Sequence, residues 1–383
     1  MQPHGTLVRV RVVVDYRPAL RARTGVGEYV HHLAAAYARR QQAGDALVLF
    51  SSSWKDRAVT GAALPPAVTV SDHRIPVRAL NYLWHRREWP PIEWLTGRTD
   101  VVHALHPLLI PASRAAQVVT IHDLHFLAQP EHSVREIRRD YPLLAARHAR
   151  RADAVVTISH YTAQLIEMTF SVPRSRIFVC PPGAPTWQAL GRTPNLPRDG
   201  YILFVGTLDP RKHVGSLLDA YVAAREREPR LPRLVIAGAM APGSDVWAER
   251  WKHPPLAGHV EYRGYVPDTD REALYAGARL LVLPSLDEGF GMPVLEAMSA
   301  GVPVLVSNRG ALPEVTGGAG LMVDPDDTRA FATALVALAT DGSAAMAAAE
   351  QGLARARAYT WDAAAARLRE AYDSAVARRG ARG

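Results

Sequence analysis

The chain has 383 residues, 48% of them hydrophobic, with a formal net charge of +8 and a single cysteine, Cys180. That length suits two globular domains with separate cores; the composition excludes a disordered chain, the lone cysteine excludes an internal disulfide, and no run approaches the roughly 20 apolar residues of a membrane span. An arginine-rich surface attracts phosphates or anionic lipid, but no zinc-finger, RRM or basic-zipper pattern appears, so nucleic acid is not expected as a partner.

The opening MQPHGTLVRVRVVVD does not read as a signal peptide, because its apolar run is short and broken by Arg9 and Arg11. With one cysteine, this points to a cytoplasmic, reducing setting. Leu7 to Val14 predicts a first strand that ends at Asp15. The turn from Thr24 to Gly27 then leads into a helix from Glu28 to Arg40. Leu47 to Phe50 predicts a second strand. Ser51 to Gly97, with Trp54, Trp84, Trp89, Trp94 and several prolines, reads as short helices and loops. Strands resume at Val101–Val102 and Val118–Ile121. Val134 to Arg151 predicts a basic helix interrupted at Pro142, whose arginines offer peripheral contact with anionic membrane lipid; a solvated helix is the alternative. Ala154–Ile158, a helix near Tyr161–Met168, and Ile177–Val179 complete the half.

Pro181 to Gly200 is rich in proline and glycine and reads as a linker. Apolar strands then recur at Tyr201–Val205, Leu234–Ala237, Val260–Tyr262, Leu280–Leu283, Val304–Val306 and Leu321–Val323, with helices between most of them. Buried parallel strands separated by helices predict the α/β class with a doubly wound sheet. Two such domains imply a cleft, with ligands at the carboxyl ends of strands. Thr328 to Arg379 reads as successive helices.

The segment from Pro284 to Gly301 carries the strongest chemical signal. Glu288 and Glu296 bracket Gly289, Phe290, Gly291 and Pro293, between an apolar strand and a helix start. Glycines let a ligand reach bare backbone, and a helix start favours negative charge. Ionised carboxylates only accept hydrogen bonds, so they suit hydroxyl-rich partners. The combination reads as a nucleotide-sugar site. Arg211 and Lys212 follow the strand Tyr201–Val205 and the turn at Gly206, where they would stabilise the charge growing on a diphosphate leaving group; taken alone, a surface pair capping a loop reads the same. In the first half, Gly25 and Gly27 offer backbone N–H groups to phosphate or sugar, though an ordinary tight turn looks the same. His122 and Asp123 break an apolar run at a strand end, where His122 would bond a sugar hydroxyl or assist proton transfer. His103, His106 and His125 lie nearby at spacings that match no zinc motif, and one of them reads as a satisfied core side chain. The loop holding Tyr265 either reads a nucleobase through its backbone or ends in a helix cap at Asp268 or Thr269. Asn308 to Glu314 either lines the same cleft or simply connects two elements.

Three stretches, FVGTLDPRKHVGSLLDAY, YRGYVPDTDREALYAGA and PSLDEGFGMPVLEAMSAGVPVLVSNRGALPEV, resemble the large retaining glycosyltransferase family of GT-B fold, glycosyltransferase family 4, which includes bacterial mannosyl- and glucosyltransferases. TGVGEY and VTIHDLHF resemble its N-terminal half. The resemblance implies two Rossmann-like doubly wound domains facing each other across a cleft. It implies an acceptor domain at 1–185, a linker at 186–200, a nucleotide-sugar domain at 201–360, and a last helix at 361–383 crossing back to the first domain. By the same resemblance Glu296 binds ribose, Glu288 the transferred sugar, and Gly289, Phe290 and Gly291 offer it backbone N–H groups. Arg211 and Lys212 hold the diphosphate with Gly27, and His122 sits by the sugar. Asp123, Gly206, Gly25 and Tyr265 complete the binding set. The donor is a nucleoside diphosphate hexose, GDP-mannose before UDP-sugars, and the acceptor a glycan or lipid-linked intermediate, with no metal or other cofactor. Many members carry an arginine directly after the glycine, where this chain has Thr207. A paired-carboxylate glycoside hydrolase, a nucleotide-sugar epimerase of the same fold and a catalytically idle sugar-nucleotide-binding protein are the alternatives.

Overall fold

The computed structural model describes residues 9–20, 25–54, 68–128, 135–187, 190–191 and 193–382. The chain divides into two compact units, one of residues 1–183 with 360–383 and one of residues 184–359.

In the first unit the strands are β1 Arg11–Asp15, β2 Ala46–Ser52, β3 Val68–His73, β4 Val101–Ala104, β5 Ala116–Ile121, β6 Ala154–Thr157 and β7 Ile177–Val179. They form one parallel sheet in the order β3-β2-β1-β4-β5-β6-β7. In the second unit the strands are β8 Tyr201–Val205, β9 Leu234–Ala237, β10 Val260–Gly264, β11 Ala278–Leu283, β12 Val304–Ser307 and β13 Leu321–Val323. They too are all parallel, in the order β10-β9-β8-β11-β12-β13. Most central strands are buried along their whole length, as sheets covered by helices on both faces require.

Several expectations need correction. β1 begins at Arg11, and Leu7 and Val8 lie outside the described residues. β3 was missed inside the segment read as helices and loops. Among the described residues it is an edge strand, paired with β2 alone, and its half-buried VTVSDH lacks a continuous apolar run. Pro142 does not interrupt the basic helix, which runs unbroken over Arg135–Arg151. Leu144, Ala145 and Ala149 beyond the proline are buried in the core. That packing offsets the roughly 3 kcal/mol a helical proline costs.

The supposed linker is packed onto the second unit. Asn195 Nδ2 donates to the carbonyls of Tyr275 at 3.0 Å and Ala276 at 3.1 Å, and Trp187 Nε1 donates to Ser299 Oγ at 2.9 Å. The last helix, Trp361–Gly380, belongs to the first unit. Its Tyr372 hydroxyl bonds His103 Nδ1 at 2.8 Å, and Arg369 pairs with Asp45 at 2.5 Å. Among the described residues no single helix is long and apolar enough to cross a membrane.

Burial pushes four histidines of the first unit down, His85 and His103 to about 3 and His122 and His148 to about 4. They are neutral when folded, while their unfolded counterparts titrate near 6.5. As pH falls through 6.5 toward 4 the unfolded chain takes up protons that the folded unit refuses. Each group then removes up to about 1.4 kcal/mol of stability per pH unit. Melting curves should show Tm falling between pH 6.5 and 4.5; a flat profile would refute this reading.

Candidate active site

The second sheet reverses its strand order between β8 and β11, and parallel sheets bind ligands beyond their strand ends at such a point. After β8 the chain passes Gly206 and enters a 3-10 turn, Pro210–Lys212. His213 ends that turn at φ 54, and the helix Val214–Arg227 begins. The loop after β11 comes back beside it, where the Leu286 N–H donates to the Arg211 carbonyl at 2.8 Å.

This joining brings together charges that stand 76 residues apart in the chain. Lys212 Nζ donates to Glu288 Oε1, Ser285 Oγ donates to the same oxygen at 2.7 Å, and Arg211 Nη1 lies 3.8 Å from Oε2. Glu288 is 5% exposed and Lys212 7%. Burial alone would raise the Glu288 carboxyl, but the Lys212 and Arg211 charges outweigh it and hold the group below its ordinary value. Gly206 lies against the Lys212 stem, since a Cβ there would stand 3.4 Å from Lys212 Cε.

Gly291 is needed at the turn into the helix Met292–Ser299, where it takes φ 97 and where a Cβ would stand 2.5 Å from Leu312 Cδ2. Glu296 lies on that helix, 5% exposed. Its Oε1 accepts from Arg271 Nη1 at 3.0 Å and its Oε2 from the Tyr275 hydroxyl at 2.6 Å. Burial, reinforced by the Glu296 charge, pushes the Tyr275 hydroxyl well above 10. Glu288 and Glu296 therefore have separate partners. Between them, Gly289 and Phe290 share the loop. The Phe290 ring is buried edge-on against Tyr359 at 5.5 Å, so only its backbone can serve a ligand.

Sequence reasoning missed Arg271 and Tyr275; the signal was their four-residue spacing on one face of the helix Asp268–Ala276. Neither Asp268 nor Thr269 caps that helix, which follows Pro267 with no side-chain cap. Tyr265 just before it is exposed. The stretch 308–314 turns out to back the Glu288 loop. The Ala311 N–H donates to the Glu288 carbonyl at 3.0 Å, and a Cβ on Gly310 would stand 2.6 Å from the Glu288 nitrogen.

In the first unit, Gly25 and Gly27 are not a turn before a helix but its first residues, in Gly25–Arg39; Thr24 lies outside the described residues. His122 is half-buried just beyond β5, edge-on to Tyr29 at 5.2 Å. It donates to the Leu105 backbone, and among the described residues its enclosed Nε2 has no partner. Asp123 Oδ1 accepts from the His125 N–H at 3.1 Å, starting the short helix His125–Ala128. His103 is the satisfied core histidine, with Nε2 bonded to Thr120 Oγ1 at 2.7 Å as well as Nδ1 to Tyr372.

Residues 199–341 match the family described as glycosyl transferases group 1, and residues 24–183 match a glycosyl transferase 4-like domain. O-antigen chain mannosyltransferase B of Escherichia coli is 30% identical over 376 residues, covering 92% of this chain and 97% of that protein. Sucrose-phosphate synthase from Thermosynechococcus elongatus has a similar structure, with TM-score 0.72 at 21% identity over 95% of this chain and 98% of that one. So does WaaG, a glycosyltransferase involved in lipopolysaccharide biosynthesis, with TM-score 0.68 at 19% identity over 94% and 98%. The chain thus belongs to the glycosyl transferases group 1 family, a GT-B glycosyltransferase with two parallel-sheet Rossmann-like units.

Proposed function

We propose that this transferase takes a hexose, mannose before others, from a nucleoside diphosphate sugar. It passes the hexose with retention to a glycan or lipid-linked acceptor in cell-surface polysaccharide synthesis. The observation that carries the reading is the buried Glu288–Lys212 pair with half-buried Arg211 beside it, at the switch point of the second sheet. Adjacent cations beyond a strand end suit a diphosphate, whose charge grows as the glycosidic bond breaks. Glu288 and the backbone of Gly289, Phe290 and Gly291 take the transferred sugar. Glu296 takes the ribose, sharing it with Arg271 and Tyr275, and Tyr265 borders the base. In the first unit, neutral His122 suits a sugar hydroxyl, and the helix start at Gly25 and Gly27 suits a phosphate. The leaving diphosphate accepts the acceptor's proton on the same face, so no protein base is needed, and Arg211, Lys212 and a helix start take the place of a divalent metal. The preference for mannose and for a polysaccharide product follows from the mannosyltransferase relative, and GDP as the carrier rests on the sequence resemblance alone. Peripheral contact with anionic lipid through the helix Arg135–Arg151, whose Leu143 is exposed, would place the work at the inner membrane face.

Incubation with GDP-mannose or UDP-hexoses and a mannosyl acceptor, with NMR of the new anomeric centre, tests this. An α-linked product from the α-configured donor, formed equally with EDTA, is expected. An inverted product, or loss of activity with EDTA, would refute the mechanism. A new sugar nucleotide formed without acceptor would point to an epimerase instead.

A further inference from the structure

The first sheet also reverses its strand order, between β1 and β4, and a polar cluster stands at those two strand ends. Asp15 ends β1 and is 1% exposed. Its carboxylate accepts from Arg17 Nε at 2.8 Å and Nη2 at 2.7 Å. His106, just beyond β4, places Nε2 3.3 Å from Asp15 Oδ2 while its Nδ1 accepts from the Leu108 N–H at 3.2 Å. Burial would raise the Asp15 carboxyl, but Arg17 and His106 hold it well below the usual carboxylate range. Arg17 Nη1 also donates to Asn81 Oδ1 at 2.9 Å, and the guanidinium lies 5.0 Å from the centre of the Trp84 ring.

Beside this pair sits His85, on a π-helical turn, Leu83–Arg87. Such turns are rare and recur at functional sites. His85 is 6% exposed, with its ring 6.0 Å from that of His106. Among the described residues neither its Nδ1 nor its Nε2 has a hydrogen-bond partner. A buried polar side chain without partners is costly to keep. The neutral imidazole holds one donor and one acceptor, which is what a hydroxyl group needs. Each of the nearby guanidinium groups already faces a carboxylate, Arg17 that of Asp15, and Arg86 and Arg139 both that of Asp140 at 3.1 Å and 2.6 Å, so none of the three is free to clamp an anion. A neutral ligand therefore suits the place better than an anion.

We propose that His85, with His106 and the Asp15–Arg17 pair behind it, forms a binding site in the first unit for a hydroxyl group of a neutral sugar, the terminal residue of the acceptor. Its role as acceptor site rests on the transferase reading; sugar binding does not. The two sheets then carry matching devices, a buried carboxylate–cation pair at each switch point. One is arranged for a charged diphosphate, the other for uncharged hydroxyls.

The test uses the full chain, methyl α-mannoside as neutral probe and inorganic phosphate as anionic probe, read by saturation-transfer NMR and by the nitrogen signals of the histidine rings. Mannoside should show saturation transfer and shift one histidine ring, both effects vanishing in His85→Phe. That variant should melt at or above the wild-type temperature, because an unsatisfied buried imidazole is gone, and should bind GDP and UDP like the wild type. The same loss is expected in His85→Ala, which adds no bulk. Mannoside binding unchanged in both variants, no mannoside binding by the wild type, or a His85 shift with phosphate alone would overturn the site. Mannoside binding that depends on His85, in a protein that binds neither GDP nor UDP, would support this site while overturning the proposed GDP- or UDP-hexose donor.

Discussion

Glu288→Gln should cut hexose transfer by about 10²–10³-fold while tightening the binding of free nucleoside diphosphate. The Glu288 carboxylate occupies Lys212 and faces Arg211. An incoming diphosphate must draw those cations toward itself, so the carboxylate competes with the leaving group as well as serving the sugar. Glutamine removes the competing charge and keeps an amide oxygen for Ser285 Oγ, which donates to Glu288 Oε1 at 2.7 Å. Lys212 then waits without its counter-charge, and the nucleotide gains. Alanine is a poorer probe, because it leaves a lysine that is 7% exposed without a partner. Breaking a buried pair in that way costs about 3–5 kcal/mol. Turnover and calorimetric Kd measured on the same preparation decide the matter: wild-type transfer, or weaker nucleotide binding, would refute the shared role.

Lys212→Ala should weaken nucleoside diphosphate binding by about 10–100-fold, the range for losing a charge-assisted hydrogen bond. It should also make the second unit more acid-sensitive. Glu288 titrates below its ordinary value of 4.5 because Lys212 and Arg211 outweigh its burial. A lowered folded value stabilises fully above 4.5, and that contribution disappears as pH falls through the lowered value. Without Lys212 burial dominates, the Glu288 value rises, and stability is lost at a higher pH than in the wild type. Unchanged nucleotide affinity would remove Lys212 from the phosphate site. Coincident melting profiles for the two proteins between pH 3 and 7 would remove its hold on Glu288.

Much of the fold was legible in the residues because its strands are apolar runs buried on both faces. β8, β9, β11 and β12 announce themselves in YILFV, LVIA, LLVL and VLV. β3 did not, since an edge strand needs only one partner and tolerates serine, aspartate and histidine. Pro142 misled because proline's local cost is visible in sequence while the packing of Leu144, Ala145 and Ala149 that offsets it is not. Gly25 and Gly27 misled in the same way: glycine reads as a turn, but here it opens a helix whose next residues are buried.

The sequence by itself determined the family, the two α/β halves and the strand–glycine–helix segment with its two glutamates, because these are local patterns. Only the tertiary structure decided which groups meet. Strand order places the ends of β8 and β11 side by side, so Lys212 and Ser285 reach Glu288 while Arg271 and Tyr275 take Glu296. It does the same for β1 and β4, bringing Asp15 to His106. Parallel strands are joined by long crossovers, so neighbours in the sheet are distant in the chain and no local pattern records their meeting.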